Sequence, residues 1–521
     1  MNVHIIKVLA GNEVKLRLRR LSTLVTLFAV VILSWLMVPA KDSGMTLIAL
    51  NDARVLNTST ALAFGTASLA AIVLGLGSFY LTRGRVSEDM RSGVGGVIAA
   101  SQISNSLFLL SRWIGGVAYM ISLIGALLGT TLVLHLIRGD GPIEISIYLQ
   151  TYSMLLIPMV FFGVSSAILF DSFSFLMGKA GDVLFFILWM FQLALMAVVD
   201  GKGIQDISLL LLFDFSGLAA NMMTLQNLVH STQLSVGMSD YNAKLPEITL
   251  PHLTWPIEII FLRMGSALMA ITPLLLALNM FHRYSPDRVK VISTRKRRSP
   301  IAIINGWLRP LSRLVRPIFT LAGKLPGISG QILADVALTL VSSPLAIAMA
   351  LFFSFAAMLI DASKLPVLLM AAVIFWGIFM SEISTRDYAA SAEDITGTVN
   401  GGETKRYLRQ LIASQVLGLA FMGVIALRWC LDTPMRAAAM LIGLFSLSAL
   451  AMLFGRFSRT ASTFIVLFLF LSYIALNAKN IAILDFVGFN GAANSYSMLM
   501  YALLGLIATI AGYGYNKQQA R

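Results

Sequence analysis

Long apolar runs dominate this chain, and lysine and arginine crowd into every second gap between them. About twelve runs are long enough, or nearly so, to cross a bilayer. They are drawn at 22–39, 61–82, 107–136, 147–170, 182–199, 256–281, 336–360, 366–384, 409–428, 436–454, 460–477 and 496–514. With the first residue placed in the cytoplasm, most of the 39 Lys and Arg residues fall on that side. That asymmetry is the positive-inside bias of a multi-pass inner-membrane protein, and it predicts both termini inside.

Composition agrees. Hydrophobic residues make up 57% of the 521 and charged residues 12%, about half the charged fraction of a soluble domain. Mean hydropathy is +0.82. A formal charge of +14 would suggest nucleic acid for a soluble chain. Here the basic residues sit in loops beside the bilayer, so anionic membrane lipids are the simpler partner and no nucleic acid is expected. The single cysteine, Cys430, excludes an internal disulfide and a cysteine metal cluster. The first apolar run has basic flanks, lacks a small-residue cleavage site and is followed by many more, so it reads as a retained span.

The order of segments repeats. Residues 1–21 mix Lys7, Lys15, Arg17, Arg19 and Arg20 with aliphatic residues, as in a helix lying at the membrane surface. A span, an external loop, a second span, a polar internal loop and four more spans follow. Residues 283–335 start the series again. They hold Arg295-Lys296-Arg297-Arg298 and then a basic, apolar stretch from Ile301 to Phe319 that Pro310 and Pro317 should break. The expected fold is an all-α polytopic membrane protein of about twelve transmembrane helices, as two parallel six-helix halves, each preceded by an interfacial segment. The divisions are 1–282, with an external loop at 200–255; a basic linker at 283–335; and 336–521. Short helices are expected on the outer surface within 200–255, with Asp214 to Met223 helical.

Two polar loops carry most of the functional signal. The first runs Thr82-Arg83-Gly84-Arg85-Val86-Ser87-Glu88-Asp89-Met90-Arg91-Ser92-Gly93 and leads towards Arg112. The second has Thr385-Arg386-Asp387, then Glu393-Asp394, then glycines and Lys405-Arg406-Tyr407-Leu408-Arg409. Both follow the second span of a half, and orientation charge alone would not require Glu-Asp in each. Arg83, Glu88, Asp89, Arg91, Arg386, Glu393, Asp394 and Arg406 are therefore candidates for contact with a cytosolic partner.

With these loops in view, the chain resembles the permease subunits of the ABC-2 type family of ATP-binding-cassette transporters. The basic segment ending Glu13-Val14-Lys15-Leu16-Arg17-Leu18-Arg19-Arg20 is similar to that family's elbow helix. The stretch from Glu88 to Arg112 looks like its cytoplasmic coupling helix and the start of span three. Asp214-Phe215-Ser216-Gly217-Leu218 is similar to its external helical segment. The match is best over residues 1–282 and mostly topological beyond 300. The common family member has six spans and works as a dimer, whereas this chain would be a fused twelve-span form. The resemblance implies export, driven by two copies of a separate ATPase, or two related ATPases, docked on loops 82–106 and 385–408.

The chain has no G-x-x-x-x-G-K-[ST] phosphate loop, so ATP and Mg would belong to the partner and no cofactor or catalytic residue is expected here. His4, His135, His230, His252 and His282 show no metal-ligand spacing, and no metal site is expected. Among intramembrane charges, Arg263 stands out. It is expected near the outer interface, paired with Glu258 or Asp214 and holding the external loop. Asp335 and Glu382 are expected to be wet.

Two other readings compete. A major-facilitator-like carrier would also have twelve spans and a basic central loop. Yet Tyr80-Leu81-Thr82-Arg83-Gly84-Arg85 does not supply the Gly-x-x-x-Asp-Arg-x-Gly-Arg-Arg pattern of that family, and no buried acid is evident. A membrane enzyme acting on a lipid-linked glycan could draw on Asp206, Asp214, His230, Asp240, Glu247 and His252, but no spacing among them marks a site. The residues do not choose a substrate.

Overall fold

The computed structural model describes residues 2–519 except 20, 41–43, 92, 174–175, 178, 200–208, 230–233, 254, 282–299, 391, 394–401 and 478–481. The chain divides into two compact units, Met1–Arg297 and Arg298–Arg521. The second part of the expected linker thus folds with the second unit.

Unit one begins with α1 (Asn2–Leu18) and α2 (Leu21–Met37). After a short sheet come α3 (Ser59–Tyr80), the small helices α4 (Arg85–Arg91) and α5 (Val94–Ala100), and α6 (Asn105–Arg138). Next are α7 (Ile145–Ser172), α8 (Lys179–Val199), α9 (Leu218–Val229), α10 (Ile257–Met269) and α11 (Thr272–Met280). Hydroxyl caps set two of the starts. The Thr58 side chain accepts the N–H of Ala61, and the Ser104 side chain that of Leu107, each satisfying one of the donors a helix leaves unpaired at its first turn.

Small residues let these helices approach closely. A Cβ at Gly75 would collide with the Trp189 ring of α8, and one at Gly163 of α7 with Ser78. Gly115 of α6 does the same for α1, since a Cβ there would lie 2.7 Å from Cβ of Glu13.

The strands were not foreseen. β1 (Met45–Leu50), β2 (Ala53–Arg54) and β3 (Leu234–Asp240) form an antiparallel sheet in the order β2-β1-β3. Leu50 faces Ala53 across a tight hairpin. Its two central residues, Asn51 and Asp52, have φ of 48° and 62°, the left-handed pair that a type I′ turn demands. β3 pairs Leu50 with Leu234 and Met45 with Asp240, so the long loop after α8 is tied to the chain between α2 and α3.

Unit two starts with α12 (Pro300–Trp307), a 3-10 segment (Arg309–Val315) and α13 (Arg316–Lys324). The breaks fall where Pro310 and Pro317 were expected to put them. α14 (Gly327–Ser342) and α15 (Pro344–Leu359) follow, then α16 (Leu365–Met380) and α17 (Arg386–Ala389). The unit ends with α18 (Gly402–Asp432), α19 (Pro434–Ser458), α20 (Ser462–Asn477) and α21 (Ser495–Gln519). The expected span at 336–360 needs correction. α14 and α15 meet at 101°, because Ser343 leaves the helical region at φ −134°, ψ 79° and Pro344 brings no N–H to continue the ladder.

The same pairings recur in both units. α1 and α2 pack on α6, α3 on α8, and α10 and α11 on α7. In unit two α14 and α15 pack on α18, α16 on α20, and α21 on α19. They differ elsewhere: α3 lies along α7, whereas α16 barely touches α19, and α20 packs on α19 where α8 does not pack comparably on α7.

Among the described residues, eight helices are long and apolar enough to cross a bilayer, or nine with the bent pair α14–α15. Shorter apolar helices cover Thr26–Met37, Gly181–Met196 and Thr463–Tyr473, where the remaining runs were drawn. The chain is a helical multi-pass membrane protein carrying, among the described residues, one small sheet.

Candidate functional site

The first polar loop is fastened by charge at the end of unit one where α1 meets α6. Glu13 is buried at 6% exposure. One of its carboxylate oxygens accepts from Arg17 Nε at 2.9 Å and the other from Arg85 Nε at 3.3 Å. Arg17 also donates to the carbonyls of Leu81 (2.9 Å) and Thr82 (3.1 Å). Those carbonyls lie just past the end of α3, where a helix leaves acceptors unpaired and favours a cation. Burial by itself would raise the Glu13 carboxyl, but Arg17, Arg85 and Arg112 outweigh it and hold the group below its ordinary value. Arg85 is correspondingly held above its ordinary value: burial alone would lower it, but Glu13, Glu88 and Asp89 prevail.

The rest of the loop is held from α7 and α8. Asp171 accepts the backbone N–H of Gly84 at 2.9 Å and of Arg85 at 3.0 Å, which caps the start of α4. Arg83 pairs with Asp182, lies 3.8 Å from Asp171 and donates to the Leu176 carbonyl at 2.5 Å. Arg85 Nη1 reaches Glu88 at 2.8 Å. Asp89, 4% exposed, pairs with Arg112, whose guanidinium stands 4.5 Å over the Phe108 ring. A small cavity between these groups is lined by Arg17, Arg85, Arg112 and Asp171 with Thr82 and Ser172.

Thus Arg83 and Asp89 turn towards the helices, while Glu88 stays within the loop on Arg85 with its side chain 44% exposed. Arg91 closes α4. The α5 segment of the loop presents an apolar, small surface: Val94, Val97 and Ala100 are exposed, together with Gly93 and Gly96.

Unit two repeats the plan with other partners. Arg386 Nη2 donates to Thr339 Oγ1 at 2.5 Å. Arg406 lies 3.5 Å from Asp387 and donates to the Glu393 carbonyl at 3.3 Å. Arg456 pairs with Glu393 at 2.7 Å. Arg409 pairs with Asp335 of α14 at 2.6 Å. Arg112 and Arg409 stand at the same distance from the first residues of α6 and α18, Asn105 and Gly402. Asp335 is buried at 7% exposure, which corrects the expectation of a wet carboxylate, while Glu382 is exposed. Asp394 lies outside the described residues.

Arg263 is buried, 1% exposed. Its Nε donates to the Met154 carbonyl at 2.9 Å. Pro158 sits within α7 and has no N–H to bond the carbonyl four residues back, so Met154 is the acceptor it leaves open. Arg263 also donates to the Leu155 carbonyl at 3.4 Å and to the carbonyl of Asp214, whose carboxylate lies 4.0 Å away. The expected partner Asp214 is therefore present, while Glu258 is exposed and forms no ion pair among the described residues.

Asp214 is the hub of a turn, which corrects the helix expected from that residue: α9 begins at Leu218. Its carboxylate accepts Gly217 N–H at 2.9 Å, Ser216 Oγ at 2.7 Å and Ala220 N–H at 3.2 Å. Gly217 has φ +78°, and a Cβ there would lie 2.9 Å from Arg263 Nη2.

A second such turn escaped the sequence reading. Asp485-Phe486-Val487-Gly488 repeats Asp214-Phe215-Ser216-Gly217, and both lie ahead of the last long apolar stretch of their unit, Ile257–Met280 in the first and Ser495–Gln518 in the second. Gly488 has φ +74°. In each turn the glycine N–H meets the aspartate carbonyl at 3.3 Å. The Asp485 carboxylate accepts the N–H groups of Asn490, Ala492 and Ala493 at 3.0–3.1 Å.

The described histidines do not converge. His135 Nδ1 meets Tyr148 Oη at 2.8 Å, and His252 lies 2.9 Å from Glu144. His230, His282 and Asp206 lie outside the described residues. Glu247 pairs with Arg54 at 3.0 Å. No group of three metal-ligating side chains occurs among the described residues. Comparison with known proteins finds no match: no family model, curated protein or solved structure is similar to the chain.

Proposed function

We propose that the chain is the permease subunit of an ABC-2 type exporter, a twelve-span form with two parallel halves. It would sit in the inner (cytoplasmic) membrane with both termini in the cytoplasm, and separate ATPase subunits would supply ATP hydrolysis. The observation that carries this reading is the mechanical design of the loop at 82–106. Its charges bind it to α1, α6, α7 and α8, while its tip offers Val94, Val97 and Ala100. A loop built that way transmits a push instead of absorbing it. Its Glu13–Arg17–Arg85–Arg112 core would carry motion of a docked ATPase to α1 and α6. The Arg386, Arg406 and Arg409 pairs would do the same for the loop at 385–408.

The test is gentle purification from the native membrane. A co-purifying ATPase with a phosphate loop, at about two copies per chain, is the expected result. Val97→Asp should abolish its association and leave thermal stability unchanged, because the residue is 72% exposed. A chain that purifies alone and whose transport collapses with the proton gradient would overturn the reading in favour of a carrier.

A further inference from the structure

The start of unit two forms a strap whose two faces differ in kind. Inward, Val315 is buried, and Leu308, Leu311 and Ile318 are half-buried. Asn305 fixes the strap to the bundle: its Oδ1 accepts the Leu345 N–H at 2.9 Å, one of the donors left open in the first turn of α15. Outward, Trp307 is 79% exposed, Leu314 57% and Leu321 50%. Arg309, Arg313, Arg316 and Lys324 are exposed beside them.

No acidic residue occurs between Asp287 and Asp335, so these four cations have no carboxylate of their own segment to neutralise them. The strap packs on α14 and α15, an apolar pair bent by 101°. With α15 taken as the membrane-entering arm, a segment tied to its first turn lies at headgroup depth. An indole beside guanidinium groups suits that depth. The ring occupies the boundary between chains and headgroups, and the planar arginine fork matches a phosphate.

We propose that Pro300–Lys324 is a binding surface for anionic phospholipid. Arg309, Arg313, Arg316 and Lys324 engage the headgroup phosphates, and Trp307, Leu314 and Leu321 enter the acyl boundary beneath them. The chemistry favours a lipid over a protein groove. A cationic surface with large apolar side chains interleaved fits an anionic interface with a hydrocarbon floor, and basic residues beside such an interface each add to the attraction. The proposal does not depend on the transport reading.

The experiment uses the full chain in nanodiscs containing equal phosphatidylglycerol and phosphatidylcholine, with retained lipid counted by native mass spectrometry. The expected result is retention of phosphatidylglycerol about tenfold over phosphatidylcholine, falling to about threefold or less in R309Q/R313Q/R316Q/K324Q at unchanged thermal stability. Brominated phosphatidylglycerol should quench Trp307, read as the difference between the native chain and W307F. Equal enrichment in the native and quadruple-variant chains would overturn the proposal. So would a co-purifying protein that shields Trp307 from brominated lipid.

Discussion

Arg263 shows how a charge inside a membrane protein can be structural. Three backbone carbonyls and one carboxylate surround it, and the first of those carbonyls is open because Pro158 is a proline. Arg263→Met should cost about 3 kcal/mol, since the guanidinium leaves buried acceptors unsatisfied, and should appear as a lower melting temperature in detergent. Pro158→Ala would supply the missing N–H and partly rescue that variant. At Gly217 the positive φ and the guanidinium behind it both exclude a side chain, so Gly217→Ala should destabilise by more than 1 kcal/mol. Glu13 carries the pH prediction. Its folded-state value lies below the ordinary 4.5. The stability it contributes is therefore complete above that pH and lost as pH falls through the lower folded-state value. Glu13→Gln should flatten the fall in melting temperature between about pH 5 and pH 3. Of these residues, the sequence pointed to Arg263 and Asp214 because a charge in an apolar run is conspicuous. Asp171 and Asp182 passed unremarked, since an acid at the end of a span looks like any solvated terminus until its arginine is seen.

Among the elements, the membrane helices were the most legible because an apolar run of sufficient length leaves the backbone one economical solution. The bend between α14 and α15 was less so. Ser342-Ser343-Pro344 marks it, yet hydropathy averaged across the bend reads as a single span. The sheet was missed for a different reason. β1 is apolar except for Thr46 and lies beside membrane helices, so only Asn51-Asp52 distinguished it. The packing of α1 yields a test at this scale. Gly115→Val should separate α1 from α6 and expose the bond after Arg17 to trypsin, while the helical content of the spans is unchanged. The second capped turn was legible in principle, because Asp-Phe-x-Gly occurs at both places. A repeat so short among divergent neighbours gains meaning only when both glycines prove to have positive φ.

For the whole molecule, each unit orders its helices the same way, and each ties the loop after its second long helix to the helix that follows. The partners differ: Arg112 meets Asp89 from the loop itself, whereas Arg409 meets Asp335 from α14. The halves need not respond alike, then, to the same insult. Charge reversal at Asp89 should unfasten the loop at 82–106 and leave unit two intact. Charge reversal at Asp335 should loosen α14 from α18 instead. Limited proteolysis, read separately over residues 82–106 and 327–342, distinguishes these outcomes.

The small sheet has a consequence for how the protein is made. β1 is the central strand, and one of its neighbours, β3, lies about 190 residues further along, a strongly non-local pairing. At roughly 5–20 residues per second, β1 leaves the ribosome about 10–40 s before β3. Throughout that interval its outer edge has no strand to bond, while the helices from α3 to α8 are being inserted. A nascent chain arrested before Leu234 should therefore carry an open, apolar edge, and release from the arrest should close it.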